Sequence, residues 1–210
     1  MQSDLREFLR QLYEEGRSND EREQDRSKKM LNLEPDTARL ISMLLQTSHS
    51  KHILEIGTSN GYSTIWLAWA AQTVGGQVTS IDRDEHKQVL AQKNLRRANL
   101  HHLVTLFCGD ATDIVVSLPG PFDCIFFDAD RLSAPSQLQV LLPKLTPDAL
   151  LLADNVHSHP DEIAAYLAAL EAFPGFEQLV VPIGKGLSIA YRIADTAASP
   201  GLLRLPVLPR

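Results

Sequence analysis

Five short apolar runs limit what this chain can fold into: Ile53–Ile56, Gln77–Ile81, Val104–Cys108, Phe122–Phe127 and Ala149–Ala153. Between and after them lie segments of helical pattern: Ser63–Ala71, Asp84–Ala98, a short one ending at Leu118, one around Gln137–Leu145, and Pro160–Ala172. Strands that are apolar on both faces are covered on both faces, and strands joined through helices run parallel. The pattern predicts an α/β fold with a doubly wound, mostly parallel sheet. The ending breaks the rhythm. Leu179–Ile183 and Leu187–Ile193 flank Gly184-Lys185-Gly186, and two strands joined by so tight a turn are antiparallel. The sheet is therefore expected to close on a terminal antiparallel hairpin.

Ahead of the first run, Leu5, Phe8, Leu9, Leu12 and Tyr13 share one helical face, and the helix is expected to stop near Gly16. That face needs a partner, either the domain itself or a second copy of the chain, so a homodimer is expected. Arg17 to Lys29 holds no apolar residue and reads as a solvated or mobile connector, or else as a flap that orders over ligand. Glu34-Pro35-Asp36 has the chemistry of a helix start, followed by Ala38, Ile41, Leu44 and Leu45 as the buried face. The expected division is residues 1–30 as N-terminal helix and connector, 31–194 as the α/β domain, and 195–210 as a surface tail.

The net charge of -6 argues against a broad nucleic-acid surface. Cys108 and Cys124 both fall in strand-like runs and are expected to be buried free thiols rather than a disulfide. The N-terminus lacks a basic segment followed by an apolar one, and no apolar run is long enough to span a bilayer. The chain reads as cytoplasmic, with no membrane partner.

In an open α/β sheet, ligands bind beyond the carboxyl ends of the strands. Every one of the five strand ends here carries a carboxylate: Glu55, Asp82, Asp110, Asp128 with Asp130, and Asp154. Asp82 lies 25 residues after Gly57, where a carboxylate can accept both hydroxyls of a ribose; the competing role is a helix cap, for which Asp84 is better placed. The loop after the first strand, Gly57-Thr58-Ser59-Asn60-Gly61, has neither the G-x-G-x-x-G of a pyrophosphate-binding Rossmann loop nor a Walker sequence. The fold is thus Rossmann-like without the dinucleotide signature, which counts against a nicotinamide dehydrogenase. Glu55 beside the loop would repel phosphate and suits an amino group. Asp128, Asp154 and Asn155 are hard oxygen donors at adjoining strand ends, a set suited to Mg²⁺.

Leu54–Thr64, Ser80-Ile81-Asp82, Gly109-Asp110-Ala111, Phe122–Asp130, Leu151–Val156 and Gly184–Leu187, in this order and spacing, resemble the catechol and caffeoyl-CoA O-methyltransferase-like family of seven-stranded S-adenosylmethionine-dependent methyltransferases. The resemblance covers about residues 31 to 193. It implies methyl transfer from S-adenosylmethionine to a hydroxyl of a small acceptor. It implies that Glu55, Gly57 and Ser63 hold the methionine end of the cofactor, that Leu33 closes over it, that Asp82 takes the ribose, and that Gly109, Asp110 and Ala111 line the adenine. Asp128 would lie against the cofactor and, with Asp154 and Asn155, would ligate a divalent metal.

The main departure is Arg131, which stands where the family usually has a lysine taken as general base. An arginine does not deprotonate in a protein. The metal alone acidifies the hydroxyl, or His157 substitutes as base, or Arg131 binds an anionic group of the acceptor; the first and third together are the expectation here. Other readings remain: an acceptor that is a hydroxylated tRNA base, opposed by the acidic charge, and a degenerate member that binds cofactor without chemistry.

Overall fold

In the computed structural model, which describes residues 1–193, the chain folds as one α/β unit around a seven-stranded sheet. The first helix, α1, spans Ser3–Arg22, and a single 3-10 turn at Arg26–Lys28 leads to α2, Pro35–Thr47. Then β1 (His52–Ile56), α3 (Tyr62–Val74), β2 (Gln77–Asp82), α4 (Glu85–Arg97), β3 (Val104–Cys108), α5 (Ala111–Ser117), β4 (Phe122–Phe127), α6 (Ala134–Leu141), β5 (Leu145–Ala153) and α7 (Pro160–Ala172) alternate. The hairpin strands β6 (Phe176–Val181) and β7 (Leu187–Arg192) complete the described chain. Strand order is β3-β2-β1-β4-β5-β7-β6. The first five strands are parallel, and β7 lies antiparallel between β5 and β6.

Successive strand residues face opposite sides of the sheet, and both sides are filled. Ile53, Phe126 and Leu152 join Leu9, Ile41, Leu45 and Ile65 in one core. Leu54, Ile125, Phe127 and Leu151 join Leu138, Ile163 and Tyr166 in the other. Strands buried on both faces read as unbroken apolar runs for this reason. The order reverses between β1 and β4, which opens a crevice beyond their carboxyl ends.

Several expectations are corrected. Gly16 does not stop α1; it is buried inside it, and a Cβ there would collide with the Asn32 side chain. The glycine serves close approach of the returning chain, not helix termination. The charged stretch Arg17 to Lys29 is solvated as expected, with no residue buried, but Arg17 to Arg22 continue α1 and Asp20 accepts hydrogen bonds from the Met30 and Leu31 amides at 2.6 and 2.8 Å. The apolar face of α1 is covered by the domain itself, with Leu9 and Leu12 buried. The helix expected around Gln137–Leu145 begins earlier and ends at Leu141, because Pro143 cannot donate to the helix ladder; Leu145 already belongs to β5. Cys124 is buried as expected, whereas Cys108 is exposed, since β3 is an edge strand. The tail expected over 195–210 lies outside the described residues. Among the described residues no helix is long and apolar enough to cross a membrane.

Candidate active site

Glu55, the last residue but one of β1, is fully buried. Its carboxylate accepts hydrogen bonds from Ser63 Oγ (2.6 Å), Thr64 Oγ1 (2.5 Å) and Ser80 Oγ (2.6 Å). Burial pushes its pKa up to about 7, and those three hydroxyls oppose the shift without cancelling it. Ser63, itself buried, and Thr64 belong to the first turn of α3, so these bonds tie the carboxylate to the start of that helix.

Gly57 has φ 113° and sits so close to the Asp128 carbonyl that a side chain could not fit. This contact joins the end of β1 to the end of β4, and the Asp128 amide donates to the Ile56 carbonyl (2.9 Å). Asp82 accepts from the amides of Ser59 (2.7 Å) and Asp84 (3.0 Å). Asp84 caps α4 by accepting from the His86 and Lys87 amides, so the capping role falls to it and not to Asp82. Ser59 Oγ donates to the Met30 carbonyl (2.6 Å), which ties the segment before α2 across the loop, and the adjacent Leu33 is buried. Gly109 (φ 150°) opens the turn in which Asp110 caps α5 through the Thr112 amide (2.7 Å), with Ala111 as the first helical residue.

At the ends of β4 and β5 stand Asp128 and Asp154. The Asp154 amide donates to the Phe127 carbonyl (3.1 Å). Asn155, with φ 69°, turns its side chain back so that Nδ2 donates to Asp128 Oδ1 (3.3 Å). Burial and then repulsion by Asp154 raise the pKa of Asp128 well above the carboxylate range. Burial, then Glu34, raise that of Asp154 to about 6. Oδ1 of Asp154 and Oε2 of Glu34 are buried without a hydrogen-bond partner. Two such carboxylates beside an amide oxygen suit a hard cation. Among the described residues no three His, Cys, Asp or Glu side chains form a metal-type cluster, so any such centre is built from two carboxylates and the amide. Arg131 does not face open space: its Nε and Nη2 both donate to Glu162 Oε2, at 2.9 and 2.7 Å.

Residues 54–156 match a protein family described as a methyltransferase domain. The chain carries a methyltransferase domain. It is 38% identical over 130 residues to the catechol O-methyltransferase of Niastella koreensis, covering 60% of this chain and 58% of that one. It is 35% identical over 119 residues to the catechol O-methyltransferase of Mycobacterium tuberculosis, covering 56% and 54%. The match thus spans little more than half the length of these two relatives. A solved O-methyltransferase from Bacillus cereus in complex with SAH superposes with a TM-score of 0.76 at 26% identity, covering 89% of this chain and 90% of that one. The family resemblance read from the motifs is borne out, and so is the sheet with its antiparallel ending.

The methyltransferase domain brings Glu55, Gly57, Ser63, Asp82, Asp128, Asp154 and Asn155 to one end of β1, β2, β4 and β5, with Gly109, Asp110 and Ala111 beyond β3. Sequence reasoning missed Glu34 and Lys185, which form an ion pair at 2.9 Å and both act on Asp154. Glu34 reads as part of a helix start and Lys185 as part of a turn. The one signal available was a charged residue, Lys185, set between two glycines at the ligand end of the sheet.

Proposed function

We propose that this chain is an S-adenosylmethionine-dependent O-methyltransferase acting on a small hydroxylated acceptor, with a divalent metal, Mg²⁺ by its donor chemistry, held by Asp128, Asp154 and Asn155. The observation that carries this reading is the pair Asp128 and Asp154. Two neighbouring carboxylates are held above their ordinary pKa range at the crevice of the sheet, and one oxygen has no partner. A hard cation would relieve both the repulsion and the unmet oxygen. Glu55 (through Ser63), Gly57, Ser63, Leu33, Asp82, Gly109, Asp110, Ala111 and Asp128 would hold the methyl donor.

Bound there, the metal would supply acidification of the acceptor hydroxyl. S-adenosylmethionine bound there would supply the methyl group, with the electron pair of the broken carbon–sulfur bond staying on sulfur and the acceptor's hydroxyl proton passing to solvent. The chain's own work is alignment and exclusion of water. Gly57 admits close approach to the backbone at the β1–β4 crevice. Leu33 and the Met30–Ser59 contact cover the loop. Arg131, fixed on Glu162, orients the acidic end of α7 and takes no proton.

That same pairing favours one second reading, a protein that binds the methyl donor without turnover. Transfer of labelled methyl from S-adenosylmethionine to catechol-type diols, with and without Mg²⁺ and chelator, separates the two. We expect binding of S-adenosylmethionine, Mg²⁺-dependent transfer, and loss of transfer in Asp154→Ala. Binding without transfer to any diol would favour the second reading; no binding at all would sink both. Turnover unchanged in Asp154→Ala would remove the metal.

A further inference from the structure

Because β7 is antiparallel to both β5 and β6, the β6–β7 turn lies at the carboxyl end of β5, with Ala153 opposite Ser188 and Val181 opposite Leu187. The proposed donor contacts occupy the ends of β3, β2 and β1, and the proposed metal donors those of β4 and β5. The acceptor then has the β5–β7 side of the crevice, and the residue at the tip of that turn is Lys185.

The turn is firmly seated. The Lys185 carbonyl accepts from the His157 amide (2.8 Å), and the Gly186 carbonyl from that of Val156 (3.0 Å). Gly184 (φ 55°) packs against Glu34 and Thr37, and Gly186 (φ 90°) against His157, each too closely for a side chain. Two cations act on Asp154 from this side, Lys185 and Arg131, and they differ in commitment. The Arg131 side chain is 12% exposed and donates twice to one Glu162 oxygen. The Lys185 side chain is 41% exposed, and among the described residues its one ionic partner is Glu34. An ammonium carries three donors, so an incoming anion can be met without breaking that pair.

We propose that Lys185 binds an anionic group of the acceptor, making the preferred substrate a diol that bears a carboxylate. The inference rests on the methyltransferase reading above and moves the anion-binding role from Arg131 to Lys185. Charge arithmetic adds a condition. Lys185 and Arg131 are outweighed by Glu34, Asp128, Asp154 and Glu162, so the side attracts an anion only once a divalent cation has balanced the excess.

The test is calorimetric binding, which needs no turnover: 3,4-dihydroxybenzoate and catechol titrated into the full chain loaded with SAH and Mg²⁺, in wild type, Lys185→Met and Lys185→Arg. We expect the wild type to bind the acid more tightly than catechol. Lys185→Met should weaken the acid about tenfold or more, the scale of a hydrogen bond to a charged group, and change catechol by less than about twofold. Lys185→Arg should retain the preference. Equal weakening of both diols would mean a merely structural lysine and overturn the proposal. So would a wild type that does not prefer the acid, or that binds neither diol while holding SAH. Failure to hold SAH would bring down the methyltransferase reading and this inference with it.

Discussion

Replacing Glu55 by glutamine isolates the electrostatic cost stored beneath the loop between β1 and α3. Glu55 is fully enclosed, and three hydroxyls donate to it. Its pKa nevertheless rises from 4.5 to about 7, with burial as the largest cause. A raised carboxylate pKa means that the folded state binds the proton more tightly than the unfolded chain. The associated stability is fully present below about 4.5 and is lost as pH rises through about 7. At 1.36 kcal/mol per unit the loss is about 3 kcal/mol. Glutamine has nearly the same shape and no charge, and the surrounding hydroxyls can turn to receive its amide. Urea unfolding of wild type and Glu55→Gln from pH 5 to pH 8.5 should show the variant gaining about 2.5 kcal/mol relative to wild type across that interval, the remainder being lost already below pH 5. Asp154 titrates in both proteins, and because the Glu55 charge is one of those that raise Asp128, its removal also relieves Asp128 and adds to the variant's gain. Parallel profiles would refute the reasoning, because they would mean that the carboxylate is already ionised at pH 5 and that the hydroxyls outweigh burial.

Gly57→Ala should unfold the protein at markedly lower urea, costing at least about 3 kcal/mol, since it combines a positive φ with collision against the Asp128 carbonyl. Asp154→Asn removes a carboxylate whose pKa is raised from 3.8 to about 6. The stability it contributes is present below about 3.8 and lost as pH rises through about 6, so at pH 8 the metal-free variant should melt higher than wild type, and any rise in melting temperature on adding Mg²⁺ should disappear. Arg131→Lys should keep the ion pair with Glu162 while losing the two-point contact, at a cost of about 1 kcal/mol or less. A gain of about 100-fold in transfer to neutral catechol, the lower end of what a positioned general base returns, would instead show that position 131 does proton transfer.

The sheet was legible because its information is local. Apolar runs of strand length, each followed by a helix, admit few arrangements, and the Gly184–Gly186 turn dictates the antiparallel ending. Strand-end carboxylates were legible for the same reason, since topology alone brings Glu55, Asp82, Asp128 and Asp154 to one edge. Local composition misled where tertiary contacts outweighed it. Gly16 reads as a helix stop, but the requirement it meets is space for Asn32, a residue on the returning segment. The charged stretch after it is solvated as it reads, but its first residues continue α1, and Asp20 ties it to the backbone amides of Met30 and Leu31. Cys108 follows strand chemistry but lies on an edge, a fact decided by strand order.

The same distinction divides the site. The half proposed to hold the methyl donor is drawn largely from the residues around one loop: Glu55 meets Ser63 and Thr64, eight and nine residues on, and Ser59 meets Asp82. A spacing pattern can encode such contacts. The half proposed for the acceptor combines separate segments: Arg131 after β4 meets Glu162 on α7, and Lys185 meets Glu34 and His157 because β7 inserts between β5 and β6 and brings the turn to the β5 end. Nothing in the spacing of those five residues requires them to converge. The methyl donor is one molecule, so its contacts can stay within one local pattern, whereas acceptors differ, and charges on separate segments can change independently. Arginine at 131 and lysine at 185 are read best together on this view: the cation beside Glu162 is locked into the fold, and the one still exposed beside Glu34 is left to meet the acceptor.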